Sequence, residues 1–154
     1  MDVMVVFVLW NGAVMNNESA VKTLQSEANY QSYIDNALIP MVKGLKGEPA
    51  LVGWEIMNEP EGILDVTVKG SGCTDASRLN GSGAGWGGHI LSMKQIQKII
   101  NWSASAIHDN DPDALVTVGS WSERSQTNSF GYKNYYTDEC LKTTGGKANG
   151  TLDY

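Results

Sequence analysis

From Leu51 to Gly62 the chain reads Leu-Val-Gly-Trp-Glu-Ile-Met-Asn-Glu-Pro-Glu-Gly, and this stretch constrains the fold more than any other. Leu51 to Met57 is an apolar run of the length that makes a strand covered on both faces. It stops at Asn58, Glu59 and Pro60, so an amide and a carboxylate stand where the strand leaves its sheet. Proline has no N–H and disfavours helical backbone in the residue before it, so Glu59 is expected to be extended and held at a fixed exit.

The rest of the chain repeats that element in alternation with helices. Val3 to Leu9 is a second valine-rich run, expected to be a fully buried parallel strand, and it ends in Trp10, Asn11 and Gly12. Tyr30, Tyr33, Ile34, Ala37, Leu38, Met41, Val42 and Leu45 follow helical spacing, with Pro40 expected to kink the helix and Gly44 or Gly47 to end it. Ser92 and Gln95 form a capping box ahead of a helix whose apolar face is Ile96, Ile99, Ile100, Ala106 and Ile107. Leu115 to Gly119 reads as a third strand leading to Ser120 and Trp121. A helix is expected from Asn134 to Thr144, stopped by Gly145-Gly146, and Thr151 to Tyr154 reads as the start of a fourth strand. Strands and helices in alternation predict an α/β fold with right-handed crossovers and a parallel sheet.

Between Glu61 and Ile90 runs a long stretch rich in Gly, Ser and Asn, of the kind that is functional or flexible in a compact domain. Gly83, Gly85 and Gly88 fit the spacing Gly-x-Gly-x-x-Gly. They do not follow directly on a strand, so the match is read as a decoy rather than as a dinucleotide fingerprint.

Charge and composition exclude several classes. The net charge of -6 leaves no basic stripe for nucleic acid. The longest apolar run is far below the roughly 20 residues needed to span a bilayer, and it has neither the charged flank nor the cleavage site of a signal peptide. Cys73 and Cys140, with His89 and His108, lack zinc-finger spacing, so no metal and no cofactor is expected. On composition alone the two cysteines read as unrelated thiols or as a bridge. Sequons stand at Asn17, Asn80, Asn101 and Asn149, the third inside a predicted helix.

The apolar run ending in Trp-Glu-Ile-Met-Asn-Glu-Pro-Glu-Gly resembles the acid/base motif after the fourth strand of family 5 glycoside hydrolases, barrel enzymes of clan A. It looks most like the β-mannanases of invertebrate animals, as do Gly-Ser-Gly-Ala-Gly-Trp-Gly-Gly-His and Leu-Val-Thr-Val-Gly-Ser-Trp. The resemblance implies a partial (β/α)8 barrel with open sheet edges. A whole barrel takes about 250 residues, so residues 1–154 are expected to cover about half of one, from the third strand to the start of the sixth, with both ends truncated. It also implies a Cys73–Cys140 disulfide, an oxidising, extracellular setting and a monomeric parent protein acting on a polysaccharide.

The same resemblance assigns chemistry. Glu59 is the expected acid/base of a retaining hydrolase, and Asn58 the expected partner of the sugar 2-hydroxyl. Trp10 and Trp121, at strand exits, and Trp86, in the Gly-rich loop beside His89, are candidate platforms for pyranose rings, with packing the competing reading for each. Trp54 and Trp102 are assigned to packing. The family's nucleophile, a glutamate at the end of the seventh strand, is expected beyond Tyr154, and Glu55 and Glu61, which do not come from a facing strand, are not expected to replace it, so the isolated polypeptide is expected to be inactive. Mannan is preferred by resemblance alone. An endo-β-1,4-glucanase and a noncatalytic sugar-binding remnant of the barrel are the alternatives.

Overall fold

The computed structural model describes residues 4–154, and Val3, where the first strand was expected to start, lies outside them. Three strands form one parallel sheet in the order β1-β2-β3: β1 is Val5–Asn11, β2 Leu51–Asn58 and β3 Val116–Gly119. The sheet is not closed. Between β1 and β2 the chain crosses over through α1 (Glu18–Gln25), α2 (Glu27–Tyr33) and α3 (Ile39–Leu45). It crosses from β2 to β3 through α4 (Met93–Asn110), and β3 is followed by α5 (Glu123–Gln126) and α6 (Asp138–Gly145). This is the expected alternation of an α/β barrel segment.

Local chemistry accounts for the helix ends. The Ser92 hydroxyl accepts the Gln95 N–H at 3.3 Å while the Gln95 side chain accepts the Ser92 N–H at 2.9 Å, so the predicted capping box opens α4. The expected kink takes the form of a π-helical turn, Ile34–Leu38, that joins α2 to α3 just before Pro40. A residue without an N–H cannot continue the regular ladder, and the wider turn absorbs the mismatch.

The core lies between the sheet and these helices. Trp54, Ile56 and Val116 from the strands meet Leu38 and Val42 and the isoleucines of α4, all at most 3% exposed. Trp54 is therefore a packing residue, as expected. Trp102 is one as well, half-buried with its indole N–H on the Gly145 carbonyl at 2.8 Å. Two buried amides on α4 tie the loops to this core. Gln97 donates to the carbonyls of Cys73 and Tyr135, and Asn101 to those of Lys147 and Gly150, each bond 2.8 to 2.9 Å long. Asn101 is fully buried, which removes it as a glycan acceptor.

Three expectations are corrected. Val5, Val6, Phe7 and Val8 are 39 to 46% exposed rather than buried, because among the described residues β1 is the edge of the sheet and has a strand on one side only. Thr151 to Tyr154 does not form a strand. It lies along β3 with the Asp153 N–H on the Val116 carbonyl, but the return bond goes from the Val116 N–H to the Asp153 side chain, which interrupts a backbone ladder. The last helix starts at Asp138 rather than Asn134, because the Thr137 hydroxyl accepts the Cys140 N–H and caps it there.

Candidate active site

β1, β2 and β3 end side by side. Asn11 pairs with Asn58, and Asn58 with Gly119, so the carboxyl ends of the three strands meet at one edge. Between Glu55 and Asn58 the β2–β3 register shifts, with three steps on β2 against two on β3. A bulge of this kind commonly re-aims the side chain at a strand exit.

Glu59 follows at once, and its backbone corrects the sequence expectation. It is left-handed, with φ 47° and ψ 57°, not extended. The preference that proline imposes on its predecessor is overridden by what clasps Glu59 on both sides. Its N–H reaches the Gly119 carbonyl, and its carbonyl accepts the Gly62 N–H at 3.0 Å. Such backbone costs of order 1–3 kcal/mol and persists only where surroundings enforce it.

The enforcement comes from backbone packed on backbone. A side chain on Gly12 would collide with the Glu59 carbonyl, and one on Gly62 would come within 2.6 Å of the Gly12 carbonyl. Glycine at both positions lets the turn after β1 press directly on the Glu59–Gly62 turn. The half-buried Glu59 side chain does not cap the 3-10 turn that follows it, Pro60–Ile63.

Asn58 stands beside it. Its amide donates to the Asn11 side chain at 3.4 Å rather than closing its own turn. Glu55, lower on β2, has one carboxylate oxygen buried without a partner, and burial pushes its pKa up. Its side chain leans over Gly119, where a Cβ would collide with it.

The tryptophans separate. Trp10 packs against the aromatic face of α2, 4.9 Å from Tyr33 and 6.4 Å from Tyr30, which favours its packing reading. Trp86 and Trp121 come together instead, with ring centres 5.0 Å apart and planes tilted by 54°. His89, the expected companion of Trp86, turns to Asp65 at 3.4 Å. Gly83, Gly85 and Gly88 all have φ above +89°. They follow the 3-10 turn Ser77–Leu79 rather than a strand, and their spacing reflects the turns of the loop that carries Trp86. The long loop is less irregular than expected. It holds three 3-10 turns and a parallel bridge from Leu64 to Leu91, and Cys73 bonds to Cys140 of α6, with Cα atoms 5.2 Å apart.

Sequence reasoning missed the role of Glu61. It is completely buried, and its carboxylate accepts the Tyr136 hydroxyl at 2.6 Å, the Ser120 hydroxyl at 3.2 Å and the Trp121 N–H at 3.0 Å. Burial, followed by the charge of Glu61, raises the Tyr136 pKa well above its usual value, so Tyr136 stays a donor. The available signal was a second acid inside a Pro-x-Gly turn, which on its own reads as solvated. Among the described residues no group of three or more His, Cys, Asp and Glu could hold a metal, and no helix is long and apolar enough to cross a membrane.

No family model matches the chain. It is homologous to a curated mannan endo-1,4-beta-mannosidase of Cryptopygus antarcticus, 52% identical over 153 residues, which are 99% of this chain and 40% of that protein. The Mytilus edulis protein of the same name is 46% identical, with 99% of this chain and 42% of its own length matched. The crystal structure of beta-1,4-D-mannanase from Cryptopygus antarcticus superposes with a TM-score of 0.94 over 98% of this chain and 42% of that one, at 52% identity. For endo-1,4-beta-mannanase from Eisenia fetida the TM-score is 0.92 and the identity 48%, over 97% of this chain and 42% of that one. The chain thus spans about two-fifths of the length of the curated relatives it matches.

Proposed function

We propose, on the premise of that homology to invertebrate β-mannanases along nearly all of its own length, that the chain carries the acid/base side of a retaining β-1,4-mannan hydrolase site. The observation that carries the reading is Glu59, held in left-handed backbone where three parallel strands end together. The carboxyl edge of a parallel barrel is where such enzymes do their chemistry.

In the proposed reaction the Glu59 carboxyl proton passes to the glycosidic oxygen as its bond to the anomeric carbon breaks. A second carboxylate about 5–5.5 Å away takes up that carbon, and Glu59 then removes a proton from the water that releases the sugar. Asn58 is positioned beside Glu59 to donate to the 2-hydroxyl, a contact that tightens as the ring flattens. Trp121 and Trp86 supply flat apolar faces for neighbouring sugars. Neither Glu55 nor Glu61 suits the nucleophile: Glu55 lies on β2, the strand that leads directly into Glu59, and three donors occupy Glu61. The nucleophile is thus a residue other than these. An extracellular setting is supported by the disulfide, which persists in oxidising compartments. The polysaccharide is the one partner we assign, bound by a monomer.

The test is a chimera in which this chain replaces the matching stretch of the Cryptopygus antarcticus mannanase. The chimera is expected to release reducing sugar from mannan, and the 154-residue chain alone is expected not to. A folded chimera with no activity on mannan would reject the reading.

A further inference from the structure

Glu61 is the one acidic side chain that is fully buried among the described residues. Burying a carboxylate costs several kcal/mol unless donors replace its water, and well-packed apolar side chains often serve stability as well or better. Stability alone therefore gives a weak account of an acid at this position. What its contacts do is join segments distant in sequence. The carboxylate holds Ser120 and the backbone N–H of Trp121 at the exit of β3, and Tyr136 ahead of α6. The Ser125 hydroxyl of α5 lies 2.6 Å from that of Ser120 and donates to it when Ser120 donates to Glu61.

The backbone of the same turn holds the other indole. The Glu61 carbonyl accepts the Gly85 N–H at 2.8 Å and the Gly62 carbonyl accepts the Gly87 N–H at 2.7 Å, so both residues flanking Trp86 are tied to Glu61-Gly62. The two tryptophans lie 35 positions apart in the chain, yet each is anchored to this one turn, two residues after Glu59. Trp86 remains 44% exposed, so the pair presents a face to solvent rather than filling the core.

We propose that Glu61 is a positioning residue for carbohydrate binding. Its carboxylate sets Trp121 and its turn sets Trp86, and together they fix a two-indole platform for hexopyranose units next to the acid/base. This deepens the proposed function and rests on its reading of the tryptophans as sugar platforms. Glu61 governs how firmly a polymer is held, not how the bond is cleaved.

Two measurements test it. Indoles this close and this tilted couple their excited states, so far-ultraviolet circular dichroism of the chain, minus that of Trp86→Phe, isolates a couplet from the Trp86–Trp121 pair. Glu61→Gln keeps the size of the side chain but turns an amide N–H toward one of the donors. It should abolish the couplet while the chain still unfolds in one cooperative thermal transition. In the chimera, Glu61→Gln should raise KM for mannan about tenfold, the scale of one lost aromatic stack, with kcat within about twofold. An unchanged couplet, or a fall in kcat at constant KM, would overturn the proposal.

If Glu61→Gln does not fold, Tyr136→Phe and Ser120→Ala each remove a single donor. Each should weaken the couplet, and full retention in both overturns the positioning role. A chimera that folds but never hydrolyses mannan defeats the reading of the site without touching the couplet. The couplet then decides the role of Glu61 by itself.

Discussion

The two ends of the sheet are built on different rules. At the carboxyl end, backbones touch without side chains between them, a glutamate occupies left-handed backbone, and a carboxylate lies wholly out of water. At the amino end the contacts are ordinary side-chain hydrogen bonds, none of them to a fully buried charge. Asp153 accepts the Val116 N–H at 2.8 Å, and His108 donates from Nδ1 to the Asn149 carbonyl at 2.8 Å with Nε2 3.0 Å from Asp153. Lys46 reaches the carbonyl of Asn110. The first end spends stability to hold one geometry, and the second adds stability without demanding any. That division is expected of a barrel whose chemistry lies on one face only.

The contrast can be broken most sharply at Glu59. Glu59→Gln in the chimera keeps the shape but has no proton to give, and kcat on mannan should fall by about 10²–10⁴, the usual weight of general acid–base catalysis. Reducing-sugar assays at saturating mannan read this directly, and unchanged activity would end the assignment.

Next in size is the disulfide, which closes a separation of 67 residues and ties the loop of Trp86 to α6. Cys140→Ser should cost about 4 kcal/mol in chemical denaturation, on the chain-entropy scale for a loop of that length. Under reductant the wild type should fall to the stability of the variant, which has no bridge to lose, and a difference that persists there would show that the bridge is not the cause.

Gly62→Ala probes the backbone contact itself. Its methyl group must move the turn after β1, at a cost of about 1–3 kcal/mol, and in the chimera it should lower activity as well, because Glu59 shares that turn. Loss of stability with full activity would say that the tight junction is scaffolding only.

The smallest effect belongs to the amino end. His108→Gln should cost about 1 kcal/mol through its hydrogen bonds and leave kcat and KM of the chimera unchanged. An activity loss there would erase the distinction between the two ends.

What the sequence made legible follows the range of the interactions involved. The capping box of α4, the disturbance before Pro40 and the strand that leads to Glu59 are set by residues within a few positions of one another, and each appears where it was expected. The glycine spacing in the long loop was rightly set aside, and its meaning is the positive φ that its turns require. The backbone of Glu59 was misread because the local rule for a residue before proline yields here to Gly12, in the turn after β1, and to Gly119, at the end of β3. The exposure of β1 was misread because a run of valines records what a strand can bury, not whether a neighbour lies beside it. Glu61 was invisible for the same reason: its three donors lie 59 to 75 positions downstream.

The exposed valines of β1 carry a practical consequence. A free strand edge offers a row of unpaired amides and carbonyls, and here Val5 to Val8 add apolar side chains with no lysine or proline to discourage a visitor. Concentrating the chain by itself should therefore bring molecules together edge to edge, beginning at those four residues. Handling the polypeptide in dilute solution, or seating it against a complementary strand, is the condition under which the site at the far end can be studied at all.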